Sequence, residues 1–137
     1  MYAPPGFVGS ELGDVEAVSH DGRLHLFHLT LPNHDVVQHV VSSDGLSWEP
    51  VAPALFTGAP GEPDDDMLWT CGVVERAGEW LMLYTALARA EGGRVQRIAA
   101  ATSPDLVTWT KRGVVSEADA RWYDAAPPPR TDRKSVV

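Results

Sequence analysis

A single cysteine, Cys71, stands among the 137 residues, so no internal disulfide can form. A lone thiol suits a reducing cytoplasm, and a cytoplasmic location is the expectation. Basic residues are also few: 11 Lys and Arg against 19 Asp and Glu leave a net charge of −8. Such a surface repels phosphate backbones and argues against a nucleic-acid partner. No apolar run approaches the ~18 residues that a membrane span requires, so no membrane partner is expected. The segment from Met1 to Val8 lacks the basic patch and apolar stretch of a signal peptide. What is plentiful is punctuation: 12 Gly and 11 Pro point to many turns rather than long helices. With 44% hydrophobic residues the chain has enough apolar mass for a packed core, which excludes a disordered polypeptide.

Short apolar runs alternate with turn signals. Strands are predicted over Asp14–Ser19, Arg23–Thr30, Val36–Ser42 and Ser47–Val51, with the dipeptide Asp21-Gly22 as a tight turn. The Arg23–Thr30 strand would place Leu24, Leu26 and His28 on one face and His25, Phe27 and Leu29 on the other. A second set follows over Met67–Glu75, Glu79–Ala86, Arg94–Thr102 and Val107–Arg112. The two sets repeat. Asp21-Gly22-Arg23-Leu24 matches Ala77-Gly78-Glu79-Trp80 at an offset of 78 − 22 = 56, and the stretch ending at Trp48 matches Thr102 to Trp109 at 109 − 48 = 61. Two four-stranded units at this spacing suggest an all-β fold of antiparallel propeller blades. A β-sandwich also has short strands and is the competing architecture.

Two blades alone would leave an apolar wall exposed, so a truncated propeller is the expectation. Blade 1 is expected over about residues 11–52 and blade 2 over about 64–113, within a partial catalytic unit spanning 1–115. Residues 116–131, with Pro127-Pro128-Pro129, read as a linker or the start of a third blade. Residues 132–137 match the translation of a common sequencing-adapter sequence and read as a non-native tail.

Four stretches resemble the glycoside hydrolase superfamily of families 32, 43, 62 and 68, whose catalytic domain is a five-bladed β-propeller. Gly13-Asp14-Val15-Glu16, followed by His20 to His28, resembles the opening of that domain. Gln38 to Glu49 resembles its "Ala-x-Ser-x-Asp-Leu-x-x-Trp" strand pair, and Ile98 to Lys111 repeats the pattern. Trp69 to Val74, then Gly78 to Thr85, resembles the inner strands of a second blade. Where family 32 usually carries Asn-Asp-Pro-Asn, this chain reads Gly13-Asp14-Val15-Glu16, and Leu29 replaces a family Gln. The resemblance implies a glycosidase acting on fructosides or arabinosides, with a carbohydrate substrate and no cofactor. A non-catalytic carbohydrate-binding propeller is the alternative.

Glycoside cleavage usually needs two carboxyl groups flanking the scissile bond. By resemblance Asp14 is the first, a nucleophile or a general base; as a residue type it could equally cap a strand start. Glu16, two residues on, would share its face and bind a sugar hydroxyl, or merely share water. Asp64-Asp65-Asp66 could contact substrate, hold a cation or form a solvated acidic loop, and Asp66 lies nearest the second inner strand. Trp69 could stack on a sugar or pack in the core. Thr70 occupies the repeat position of Asp14, since 14 + 56 = 70. His34, Asp35 and His39 lack a closed metal-ligand pattern, and no metal is expected there. The family's Arg-Asp-Pro motif is absent from the sequence, and this polypeptide by itself is expected to be inactive.

Overall fold

The computed structural model describes residues 12–30 and 32–122, with the backbone but not the side chain of Thr70. The expected linker residues beyond 122 and the expected tail lie outside the described residues. The chain forms β1 (Leu12–His20), β2 (Arg23–Thr30), β3 (Val36–Ser42), two short pieces β4 (Glu49–Pro50) and β5 (Leu55–Phe56), then β6 (Met67–Arg76), β7 (Glu79–Leu87), β8 (Gln96–Ser103) and β9 (Thr110–Glu117). One sheet has the order β1-β2-β3-β4, with β5 also paired to β3; the other has the order β6-β7-β8-β9. Every pairing is antiparallel.

The repeat seen in the sequence is a repeat of backbone conformation. Both inner hairpins close through two residues at positive φ: Asp21 (47°) and Gly22 (72°) in one, Ala77 (53°) and Gly78 (81°) in the other. Two positive φ values define the turn whose twist matches the flanking strands, and Asn or Asp followed by Gly suits it best. Ala77 therefore holds a left-handed conformation without the local hydrogen bonding that Asn or Asp offers. Ala77→Asn is expected to raise stability by about 1 kcal/mol, read as a shifted urea midpoint at unchanged m-value.

The outer turns repeat as well. The Ser42 hydroxyl donates to Asp44 Oδ1 (3.0 Å), and that oxygen accepts the backbone N–H groups of Leu46 (2.8 Å) and Ser47 (2.7 Å). In the second sheet Ser103 donates to Asp105 Oδ1 (3.0 Å), which accepts from Val107 (2.9 Å) and Thr108 (2.7 Å). These bonds favour the ionised form and hold both carboxyls down at about 2. Ser42 thus corresponds to Ser103 at 103 − 42 = 61, the same offset that relates Trp48 to Trp109. The fourth strands also shift. The segments 47–48 and 107–109 belong to these turns, so pairing starts at Glu49 and Thr110 rather than at Ser47 and Val107, and β9 runs on to Glu117. The first outer strand is interrupted: Val51 N–H bonds to the His39 carbonyl (3.0 Å) and Ala54 N–H to that of Val37 (2.9 Å), with Pro50 and Pro53 removing donors on either side. The short β5 that follows has no counterpart among the predicted strands.

The core lies between the sheets. Phe27, Leu29, Val37 and Leu55 meet Leu68, Trp80, Met82, Tyr84, Ala86, Ala99, Ala101 and Leu106. The orientation decides between the two expected architectures. Phe27 is fully buried against the second sheet, but its repeat mate Leu83 (27 + 56) is 40% exposed, because its neighbours Met82 and Tyr84 take the buried face. Equivalent faces thus stack front to back, as successive blades do, whereas a sandwich would turn like faces toward each other. Leu106 contributes to this core from a left-handed backbone (φ 65°), where the first sheet has Gly45. Burial of the leucine offsets that strain.

On the face of β2 and β3 against blade 2, histidines replace aliphatic residues. His25 Nδ1 lies 3.0 Å from His39 Nε2, and Phe27 stacks on the His39 ring at 4.4 Å. His20 meets Trp80 edge to face at 5.2 Å, and Trp109 meets Phe27 likewise at 5.7 Å. Burial, reinforced by His25, depresses the His39 pKa to about 4. His25 is lowered too, by burial and then by the charges of His20 and Arg23. His28, expected on the opposite face from His25, is also buried.

Candidate functional site at the inner strands

The first strand of each sheet carries a bulge at the same repeat position. The β1–β2 register runs Gly13↔Leu29 and then Val15↔His28, which makes Asp14 the extra residue. The β6–β7 register runs Trp69↔Thr85 and then Cys71↔Tyr84, which makes Thr70 the extra residue. A bulge bends the strand and re-aims the side chain at that point. Asp14 has a φ of 31° and an exposed side chain, so it stands out from the sheet rather than lying within it. The sequence repeat located both positions; the bulge itself had no signal beyond Gly13.

β1 and β6 are the edge strands of their sheets and approach each other. Glu16 makes a bond between them: its Oε1 accepts the backbone N–H of Val73 at 3.2 Å. Cys71 lies close by and is part-buried. Burial, then the charge of Glu16, then that of Asp14, pushes its thiol up to about 12. Asp14, Glu16, Cys71 and the Thr70 bulge are therefore brought together where the inner strands meet. The sequence reading missed Cys71 as a member of this group.

Trp69 is half-buried, and its ring meets His34 edge to face at 6.0 Å. The indole Nε1–H is buried and donates to no acceptor among the described residues. His39 is buried, His34 is half-buried and Asp35 is exposed. Among the described residues, no three His, Cys, Asp or Glu side chains are grouped as metal ligands.

The three consecutive aspartates part company, which corrects the reading of a solvated acidic loop. Asp64 is 2% exposed; its Oδ2 accepts the Tyr84 hydroxyl (2.9 Å) and pairs with Lys111 Nζ (2.6 Å). Asp65 accepts backbone N–H groups from Gly61 (2.8 Å) and Arg89 (2.7 Å), which lower its pKa. Asp66 extends the β6–β7 ladder through its own N–H to Leu87, and its carboxylate faces Arg89 at 3.9 Å. A Cβ at Gly93 would come within 2.5 Å of Asp66 Oδ2, so only glycine leaves that carboxylate its place.

Solved structures with this arrangement are propeller glycosidases. The family 117 glycoside hydrolase Zg3597 of Zobellia galactanivorans superposes with a TM-score of 0.68 at 13% identity, over 77% of this chain and 38% of its own. A D158A mutant of the Cellvibrio cellulosa α-L-arabinanase gives 0.63 at 18%, over 79% of this chain and 36% of its own. Fructan 1-exohydrolase IIa from Cichorium intybus gives 0.63 at 23%, over 81% of this chain and 22% of its own. The chain thus spans between about a fifth and two fifths of the length of these structures, and its two sheets are two blades of a five-bladed propeller. No curated protein matches it in sequence. The family described as "Glycosyl hydrolases family 32 N-terminal domain" matches residues 15–126, beginning one residue past the Asp14 bulge. That match takes in both blades, and the chain belongs to the family 32 N-terminal domain of the glycosyl hydrolases.

Proposed function

We propose that these two blades form part of the substrate funnel of a glycoside hydrolase acting on fructosides or arabinosides, with Asp14 as one of its two catalytic carboxylates. The observation that carries the reading is the paired bulge: Asp14 on β1 and Thr70 on β6, at equivalent positions on adjoining inner strands. A carboxylate there stands exposed beside a second strand of the funnel wall. It has the access that attack on an anomeric carbon, or activation of a water, requires. Thr70, Asp66 and Trp69 would contact the sugar around it, while the carboxylate of Glu16 is engaged by the Val73 N–H. Asp66, held between Arg89 and Gly93, would present an acceptor at the start of β6. The indole N–H of Trp69 would offer a donor once its contact with His34 loosens. The proton donor for the leaving oxygen would come from another blade, so the 137-residue chain alone is expected to turn over neither sucrose nor an aryl glycoside.

The test is Asp14→Asn in a protein carrying all five blades. Loss of turnover on the order of 10⁴-fold, with the fold intact by circular dichroism, is the expected result. Unchanged turnover would remove Asp14 from the chemistry. Hydrolysis by purified residues 1–137 above a blank would overturn the division of labour between blades.

A further inference from the structure

We infer that Glu16 is a positioning residue, which seats the second inner strand against the first and so fixes Asp14 in the funnel wall. The inference rests on the proposed role of Asp14.

Three observations carry it. First, Glu16 is joined to the neighbouring blade by a backbone bond: its Oε1 accepts the N–H of Val73, 57 residues away in sequence. β6 is an edge strand, and an inner-edge amide has no ladder partner of its own. Glu16 supplies the acceptor that the missing strand would have supplied. Second, Val73 is not peripheral. Its side chain is 8% exposed and belongs to the core shared by the two blades, so the bond ties a funnel side chain to the packed interior. Third, Glu16 lies two residues from the Asp14 bulge on the same strand, and both charges act on the Cys71 thiol of β6. The carboxylate that bonds the second inner strand to the first is thus part of the group at which they meet.

A bulged residue at positive φ has few ladder bonds to define it. Its direction depends on how the strand is held on either side. On one side Gly13 pairs with Leu29; on the other, Glu16 pairs with Phe27 in the ladder and with Val73 through its side chain. Loss of the side-chain bond would let β1 and β6 separate at the level of Asp14. The hydrogen bond needs an acceptor, not a charge, and this separates the role from that of a counter-ion for a cationic group. Glutamine keeps an acceptor at the same reach; alanine removes it; aspartate ends one methylene short.

The experiment uses the 137-residue chain and follows amide hydrogen exchange at Val73, with Met82 in the same sheet as internal reference. Glu16→Ala is expected to speed exchange at Val73 by about tenfold or more relative to Met82, and Glu16→Gln to restore protection to within about twofold. In the same samples, thiolate absorbance reports Cys71. Glu16→Gln is expected to move its titration to lower pH by removing a neighbouring negative charge, with Val73 still protected. Should Glu16→Ala fail to fold, Glu16→Asp reads the same bond. Val73 exchange that is unchanged in the alanine and aspartate variants would overturn the inference. In a five-bladed protein, the alanine variant is expected to lose kcat with KM held, and glutamine to rescue it. A rise in KM in both variants, with Val73 protected, would instead make Glu16 a sugar ligand and overturn the inference. The exchange and thiol measurements need no turnover, so a protein without glycosidase activity would sink the proposed function while leaving this inference standing or falling on its own data.

Discussion

Lowering the pH from 7 to 4 is expected to remove about 3 kcal/mol of folding stability through His39 alone. The His39 ring is 1% exposed, packed between Phe27 and His25, and its pKa falls from 6.5 to about 4 in the folded chain. The unfolded chain takes up a proton near 6.5, and the folded chain resists it until about 4. Between those values the unfolded state binds more protons, so stability falls as the pH falls through this window and levels off below it. At 1.36 kcal/mol per pKa unit, that difference amounts to about 3 kcal/mol. His25 and His28, both lowered by burial, add in the same direction. The groups facing His25 are His39, His20 and Arg23, none of which can neutralise a charge there. Asp44 and Asp105 oppose nothing in this range, because their bonds favour ionisation down to about 2 and their contribution is lost only below the usual carboxylate pKa. Urea midpoints at pH 7, 5.5 and 4, read by tryptophan fluorescence, measure the slope. His25→Leu/His39→Leu should flatten it, following the second blade, where Leu81 and Ala100 occupy these two positions at offsets of 56 and 61. A slope that survives in the double variant would place the acid sensitivity elsewhere.

Asp64→Ala is expected to cost about 3 kcal/mol, more than any surface substitution in the chain. The carboxylate is buried where the loop between the blades crosses β7 and β9, and it meets Tyr84 and Lys111 with one oxygen. Burial and the negative charge of Asp64 raise the Tyr84 hydroxyl above its ordinary value, so that hydroxyl stays a donor at all physiological pH. Removing the aspartate would leave an ammonium and a hydroxyl without their acceptor, and breaking one side of such a pair is the costly event. Replacing both charges, as in Asp64→Leu/Lys111→Met, is expected to recover most of the loss. Equilibrium unfolding of the single and double variants gives the coupling directly. A double variant no better than Asp64→Ala would mean that the backbone bond from Gly58 N–H to the Asp64 carbonyl (3.1 Å) holds the loop instead.

The strands were legible because blades obey local rules. Apolar alternation and the Asp21-Gly22 and Ala77-Gly78 turns located β2 and β7, with starts at Arg23 and Glu79. The fourth strands were less legible. Ser-x-Asp followed by Ser47 or Thr108 is a side-chain-to-backbone turn, and such bonds compete with pairing in residues that otherwise look extended. The site was half legible. Repeat arithmetic put Asp14 and Thr70 at one position, but bulging depends on the register against β2 and β7, which periodicity does not report. Three like residues in a row gave no sign that Asp64 would be interior and Asp65 a loop clasp. Their fates follow from partners distant in sequence, Lys111 and Arg89. The contact of Glu16 with Val73 is of the same kind.

The interrupted outer strand of the first blade has a bearing on solubility. An unpaired strand edge is a template on which another chain can add. With two-residue pieces at Glu49–Pro50 and Leu55–Phe56, and prolines at 50 and 53, that edge offers too few consecutive donors to recruit one. The eight-residue β9 is longer, but extra residues near Arg112 and Val115 break its register with β8. Both rims thus discourage edge-to-edge polymerisation: one by proline, the other by irregular spacing.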